Sequence, residues 1–345
     1  MVILLVCTGG TIGSTESSGF VSPDKEKPNR LLDLYKERMR KGGFDVTFDV
    51  LTPYQTLSEN IDCNNFRLLA DCLENAGLDR YDGVIITHGT DTIQYTAAFT
   101  GYIMAGSDVP VVFVSANYVL EDVRSNGLDN FYYAVEFIRQ KKTKGVFVSY
   151  RNSGDFPRIH YATRLIMHQA YSDSLYSICG MDYGYFEGDR FVCRYGEEPG
   201  KVNNEETTAR INADISNVPE GSSLSGIMVI HPYPGMEYIM PGSGIKSVLH
   251  YTYHSGTICS KPRILKEFAD YINAEDIPVF ITGAGTGADY ESVKCYKEHG
   301  FYVLPAASPE AMYIKLWLCI INNKSTREIA RIMQQPLAND IVGCE

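Results

Sequence analysis

Apolar and polar positions alternate in short blocks along the first half of the chain. Val2 to Val6 is a run of Val, Ile and Leu that stops at Gly9-Gly10. Leu31, Leu34, Tyr35 and Met39 fall on one helical face, with Gly42-Gly43 placed to end it. Phe44 to Leu51 alternates like a strand. Phe66, Leu69, Ala70 and Leu73 repeat at helical spacing, with Asn65 placed to cap and Gly77 to stop. Val84–Thr87, Val111–Val114 and Gly145–Val148 read as short buried strands. Between them Ile93 to Ala105 and the set Leu128, Phe131, Tyr132, Val135 and Ile138 read as helices. Short apolar strands joined by helices predict an α/β fold with a mostly parallel sheet covered on both faces.

The rhythm breaks from Tyr195 to Ser223, a stretch rich in Glu, Asn, Gly and Ser with Pro199 and Pro219. This predicts a linker over 195–223 between a larger N-terminal domain, 1–194, and a smaller C-terminal parallel α/β domain, 224–345. In the second part, strands are expected at Gly226–Ile230, Ser247–Tyr251, Val279–Thr282 and Tyr302–Leu304. Helices are expected at Leu265–Ile272, Tyr290–Glu298, Pro309–Ile321 and Thr326–Met333.

Composition narrows the class. The 345 residues are 44% hydrophobic and carry a net charge of −11, which argues against disorder and against a phosphate-seeking nucleic-acid binder. No apolar run approaches the length of a membrane span, and the apolar N-terminus is short and lacks a basic flank. A cytoplasmic location is expected. Nine scattered Cys without C-x-x-C spacing predict reduced thiols rather than a disulfide frame.

In an open parallel sheet, ligands bind beyond the carboxyl ends of the strands. Three small, polar peptides stand there: Thr8-Gly9-Gly10-Thr11-Ile12-Gly13, Thr87-His88-Gly89-Thr90-Asp91-Thr92 and Ser115-Ala116-Asn117. Thr11 and Thr90 are hydroxyl nucleophile candidates, and a Thr hydroxyl needs a neighbouring base. Asp91 suits a substrate amine or the orientation of a base. Gly9, Gly10 and Gly89 let the backbone approach a ligand.

The two Thr-Gly peptides together resemble the paired signatures of the bacterial-type L-asparaginases. Leu57-Ser58-Glu59-Asn60 is similar to that family's substrate loop, and Val114-Ser115-Ala116-Asn117 with Arg124-Ser125-Asn126-Gly127 to the segment after its third strand. The likeness runs the length of the chain and is closest to the cytoplasmic, type I-like members. It implies hydrolysis of the side-chain amide of Asn, less often Gln, through an acyl-enzyme and without a cofactor or metal. It implies a homodimer or dimer of dimers, and no nucleic-acid or membrane partner. On matched positions Thr11 would be the nucleophile and Thr90 the second catalytic hydroxyl. Asp91 and Ser58, with Glu59 beside them, would hold the substrate's amino and carboxylate groups. Backbone at Gly10, Gly89, Thr90 and Ala116 would contact the amide.

Two positions depart from that pattern. Phe20 follows Gly19 where the family carries a Tyr whose hydroxyl helps activate the nucleophile. Thr163-Arg164 is the match for a Thr-Lys pair, and Arg, unlike Lys, cannot accept a proton. The resemblance therefore implies an amidohydrolase that is weak, retuned to another amide, or inactive on Asn. Tyr54, Tyr95, Tyr118 and Tyr161 are alternative hydroxyl sources.

Two other classes compete. Gly283-Ala284-Gly285-Thr286-Gly287-Ala288 after a strand fits the G-x-G-x-x-A dinucleotide fingerprint, although no acidic residue closes the next strand. An intact pocket with altered catalytic positions also suits a non-catalytic amino-acid sensor. The His pairs 160/168 and 250/254 lack metal-site spacing, and His88 reads as a structural hydrogen-bond partner.

Overall fold

The computed structural model describes residues 1–17, 19–23, 27–40, 44–141, 143–194, 211, 213–217, 224, 226–285 and 290–343. Its first part runs β1 (Val2–Cys7), the hairpin β2 (Ser14–Ser17) and β3 (Phe20–Pro23), α1 (Lys27–Met39), β4 (Thr47–Leu51) and α2 (Cys63–Asn75). It continues with β5 (Gly83–Thr87), α3 (Ile93–Met104), β6 (Pro110–Val114), α4 (Gly127–Lys141), β7 (Gly145–Arg151), β8 (Pro157–Tyr161), β9 (Gly184–Glu187) and β10 (Arg190–Cys193). The second part runs β11 (Ile227–Ile230), β12 (Ser247–Tyr251), α5 (Pro262–Ala274), β13 (Val279–Thr282), α6 (Lys294–Glu298), β14 (Tyr302–Val303), α7 (Pro309–Ile321) and α8 (Thr326–Met333).

The strands form an eight-stranded sheet in the order β10-β9-β8-β7-β6-β5-β1-β4 and a four-stranded sheet in the order β11-β12-β13-β14. From β4 to β7 neighbours are parallel, and β8, β9 and β10 are antiparallel. The smaller sheet is parallel throughout. The fold is thus α/β, with a large, mostly parallel sheet and a smaller, all-parallel one. Every residue of β5 and β6 is buried, because helices cover both faces of these central strands. On one face Leu31 and Tyr35 of α1 meet Phe131 and Val135 of α4; on the other, Leu69 and Leu73 of α2 join Ile93 and Ala97 of α3.

The two sheets share a core. Trp317, the chain's single Trp, lies on α7 and packs edge-on against Phe66 of α2 at 5.8 Å, with Phe99 of α3 at 6.3 Å. Leu249 and Phe280 of the smaller sheet belong to the same cluster. Behind it Lys315 and Asp340 form a fully buried ion pair, Nζ to Oδ2 at 2.7 Å. Lys315 Nζ also donates to the Gln335 carbonyl, and Asp340 accepts from Tyr102 Oη at 2.8 Å and from the Leu337 N–H at 2.9 Å.

Several expectations change in detail. Helix α2 is capped by Asp62, not Asn65; Asn65 is the third residue of a reciprocal capping box and returns a hydrogen bond to the Asp62 N–H. The antiparallel strands β8 to β10 carry too little alternation to be read from sequence. Within the expected linker, Ile211 and Ile215 are buried in the shared core, and the Ile211 N–H donates to the Tyr102 carbonyl at 3.0 Å. The rest of 195–210 and 218–223, and the Gly42-Gly43 stop, lie outside the described residues. Cys179 is disulfide-bonded, contrary to the expectation of reduced thiols throughout. Sequence spacing does not reveal such a bond, because pairing requires only that two Cα atoms come within about 7 Å in the fold. Seven other cysteines are free. Among the described residues no helix is long and apolar enough to cross a membrane.

Two stability predictions follow from buried polar groups. Replacing Asp340 by Ala leaves Lys315 charged and unpaired in the core. Urea unfolding is expected to show a loss of about 3–5 kcal/mol. His88 and His160 are fully enclosed, and burial pushes their pKa values down from 6.5 to about 4 and about 3. Both stay neutral in the folded state while the unfolded chain takes up protons below about pH 6.5. Stability is therefore complete above that pH and falls as pH drops toward 4, by about 1.4 kcal/mol per pH unit per histidine. Unfolding measured between pH 6.5 and 4.5 should have a shallower pH slope in His160→Gln, by about one proton.

Candidate active site

The site begins with strand register. β1 and β5 are parallel neighbours, and Cys7 lies opposite Thr87, so both strands end at the same level. Thr8 Oγ1 donates to the Thr87 carbonyl at 2.6 Å and ties the two exits together. Beyond them the backbones converge. The Gly10 N–H donates to the Thr56 carbonyl at 3.2 Å, and Gly9 forms an isolated bridge with Thr56. Gly10 has φ +78°, and a Cβ there would stand 2.2 Å from the Gly89 nitrogen. A Cβ on Gly89 would stand 2.4 Å from Ser58 Oγ. Only glycine fits at both positions, so the two signature peptides and the Ser58 loop touch without side chains between them.

Around this contact stand the polar groups. Ser58 is buried in a short helical turn, Ser58–Asn60, and its Oγ donates to Asp91 Oδ2 at 3.4 Å. Thr92 Oγ1 donates to the Ser58 carbonyl at 2.8 Å, and Gln94 Nε2 to the Asp91 carbonyl at 3.0 Å. Asp91 and Glu59 are exposed, whereas Thr11 and Thr90 are half-buried. Thr11 opens the turn Thr11–Gly13, which Ser14 Oγ braces by donating to the Gly10 carbonyl at 2.8 Å. The arrangement offers an exposed carboxylate for an ammonium group and two threonine hydroxyls. The N-terminus of α3, one residue past Thr92, adds a partial positive charge.

The third peptide forms the adjoining wall. Ala116 is fully buried, so only its backbone is free to meet a ligand. Asn117 and Asn126 hold each other by reciprocal bonds: each backbone N–H donates to the other's Oδ1 at 3.0 Å. Asn130 Nδ2 donates to the Ser115 carbonyl at 2.8 Å, and Asn126 Nδ2 to the Arg151 carbonyl at 2.9 Å. His88 Nδ1 donates to the Gly89 carbonyl at 2.8 Å and supports the second signature from within the core.

The structure therefore gathers Gly10, Ser58, Gly89 and Asp91 into contact, with Thr11, Thr90 and Glu59 on the same peptides. Phe20 and Arg164 stand differently. Phe20 is 77% exposed on β3, in the hairpin that follows Thr11–Gly13. Thr163, beside Arg164, approaches Gly101, nine residues along α3 from Thr92 and roughly 13 Å down the helix axis. Arg164 Nε donates to the Asn339 carbonyl at 2.7 Å, and its guanidinium covers the Tyr161 ring at 4.4 Å. Thr163 Oγ1 donates to the Ala338 carbonyl at 2.7 Å. These bonds tie both residues to the turn Leu337–Asp340, which the buried Lys315–Asp340 pair anchors. Among the alternative tyrosines, Tyr161 lies under Arg164, Tyr118 lies under the Arg124 guanidinium at 4.0 Å, and Tyr95 packs on Tyr313.

Sequence reasoning missed two features. The 337–340 turn carried no signal, since its partners lie about 175 residues away. His168 was weighed only as a metal ligand, yet its ring packs on Tyr150 at the carboxyl end of β7. Of the dinucleotide-like motif, Gly283 to Gly285 are described and Thr286 to Ala288 are not; Thr252 Oγ1 donates to the Gly283 carbonyl at 2.8 Å.

Comparison with known proteins fits this geometry. Residues 2–195 match the family model described as asparaginase, N-terminal. The chain is 26% identical to the L-asparaginase of Thermococcus kodakarensis, over 99% of this chain and 100% of that one. A solved structure of the thermostable L-asparaginase from Thermococcus kodakarensis has a TM-score of 0.78 at 24% identity, covering 100% of both chains. The L-asparaginase I structure from Vibrio cholerae has a TM-score of 0.76 at 20% identity, covering 99% of each. With the family model spanning more than half its length and a relative aligned end to end, this chain belongs to the asparaginase family of amidohydrolases.

Proposed function

We propose that this amidohydrolase cleaves the side-chain amide of Asn, and secondarily Gln or a related amide, through a threonine acyl-enzyme. The observation that carries the reading is the contact of Gly10, Gly89 and Ser58, which draws Thr11, Thr90 and Asp91 to one edge of the sheet. The full-length relative named L-asparaginase supports the choice of Asn. Thr11 Oγ attacks the amide carbon and its proton passes to a base. The C–N bond then breaks, ammonia leaves, and water hydrolyses the ester to Asp. Asp91 pairs with the substrate ammonium, and Ser58 and Glu59 help fix the amino-acid end. Backbone at Gly10, Gly89, Thr90 and Ala116 steadies the amide and its developing oxyanion. No cofactor is required.

Phe20 supplies no hydroxyl, and Arg164 supplies a positive charge but no proton acceptor. This half of the site makes turnover slow on Asn. The reading extends to a homodimer or dimer of dimers in the cytoplasm, with catalytic residues in the 1–194 domain and 224–345 as a second domain.

Ammonia release from Asn and Gln tests the proposal. Thr11→Val is expected to lower kcat by at least about 10³-fold. Asp91→Asn should act mainly on KM. Phe20→Tyr should raise kcat several-fold by restoring a hydroxyl on the hairpin. Wild-type turnover that survives Thr11→Val would overturn the nucleophile assignment. Asn binding by thermal shift without ammonia release would make the chain an amino-acid sensor instead.

A further inference from the structure

Thr92, at the end of the second signature, also lines a cavity that none of the groups assigned to substrate binding lines. The cavity measures about 390 Å³ and is walled by Phe66 of α2, Thr92 and Tyr95 at the start of α3, Val229 of β11, Tyr251 of β12 and Tyr313 of α7. It therefore lies between the larger part and the smaller sheet. Its size falls within the ~300–1,000 Å³ range of small-molecule sites. Its walls are fixed by packing. Phe66, fully buried, closes the deep end and stacks on Phe99 at 4.6 Å and 11°, with Trp317 edge-on behind it. Val229, 39% exposed, stands at the mouth. Tyr313 Oη donates to the Leu224 carbonyl at 2.7 Å, which holds that ring in place.

The chemistry of the lining points to one class of ligand. Tyr95 meets Tyr313 at 5.9 Å and 82°, so the two rings form a right-angled corner. The His231 ring, also in the lining, lies over Tyr251 with centroids 4.0 Å apart. A corner of ring faces and edges complements a third flat ring, because edge-to-face and offset contacts are the favoured aromatic geometries. Among the described residues no Asp, Glu, Lys or Arg lines the cavity. A charged ligand would give up its water there without a partner of opposite sign. The cavity is also tied to the candidate active site through one atom. The Ser58 carbonyl accepts from Thr92 Oγ1 at 2.8 Å and from the Ile61 N–H at 3.3 Å, and Thr92 and Ile61 both line the cavity. The Oγ of the same Ser58 donates to Asp91 Oδ2.

We propose that this cavity is a second ligand site, which takes a flat, uncharged aromatic ring such as an indole or phenol group, and that its occupancy strengthens amino-acid binding at the candidate active site. The site itself stands on its own geometry, and its effect on amino-acid binding rests on the function proposed above. A ring in the cavity packs on Ile61 and Thr92 in the positions from which they hold Ser58. The substrate uses the same placement of that turn. Two ligands that favour one arrangement raise each other's affinity by the same factor.

Indole titrated into the full-length protein, followed by calorimetry and ligand-detected NMR, tests the site. Saturable binding is expected. Val229→Trp, which fills the mouth, should weaken it at least about tenfold. Tyr95→Ala removes one wall of the corner and should weaken it as well, which covers the case of a Val229→Trp chain that does not fold. No binding at millimolar indole, or undiminished binding in the folded variants, would overturn the site. Tighter binding of tetramethylammonium than of indole would also overturn it, since an aromatic cage for cations would then be present instead. Saturating Asn should tighten indole binding about fivefold, and saturating indole should lower KM for Asn by the same factor. Thr92→Val, which cuts one bond to Ser58, should reduce that linkage. Indole affinity that is the same with and without Asn would overturn the link to the active site. Indole binding is read without turnover. Absence of ammonia release from Asn would therefore count against the function proposed above and leave the aromatic site standing.

Discussion

The site depends on the register of β1 against β5. These are adjacent parallel strands, and pairing Cys7 with Thr87 makes both exits leave the sheet at one level. A slip of one residue would turn every side chain of β1 to the opposite face and carry its exit out of level with that of β5. With register fixed, the exiting backbones run so close that a single methyl group would collide. Glycine at 10 and 89 is thus a geometric requirement, and the hydroxyls and carboxylate on those peptides inherit their positions from the sheet.

A second constraint joins the two halves of the molecule. Helix α7 follows the smaller sheet but packs Trp317 into Phe66 and Phe99 of the larger part. Its Lys315 forms a buried ion pair with Asp340 and so fixes the turn that receives Thr163 and Arg164. Its N-cap, Ser308, holds Leu165. The polypeptide wall beside the site is therefore set by the far end of the chain. Arg164 fits this task well, since a rigid, permanently charged donor suits a pair of carbonyls and a tyrosine face better than it suits proton exchange.

The chemistry divides along the same line. The groups assigned to substrate binding ride on short peptides fixed directly by β1, β5 and the Ser58 turn. Phe20 and Arg164 sit on longer excursions, the β2–β3 hairpin and the short turn after β8. Neither excursion takes part in the glycine contact that joins the two signature peptides.

Much of this was legible in the residues. The apolar blocks marked the parallel strands and the amphipathic helices α1, α2, α4, α7 and α8, because burial on one or both faces writes a period into the chain. The two Thr-Gly peptides marked the candidate site, and the fold brings them into contact. The sequence did not show that β8 to β10 turn antiparallel, that Asp62 rather than Asn65 caps α2, or that Cys179 is oxidised. Nor did it show that Arg164 donates to the Asn339 carbonyl, 175 residues further along the chain. Local pattern reports what each segment must bury. Which distant segments meet is decided by closure of the whole core, and that alone placed the C-terminal turn against Arg164.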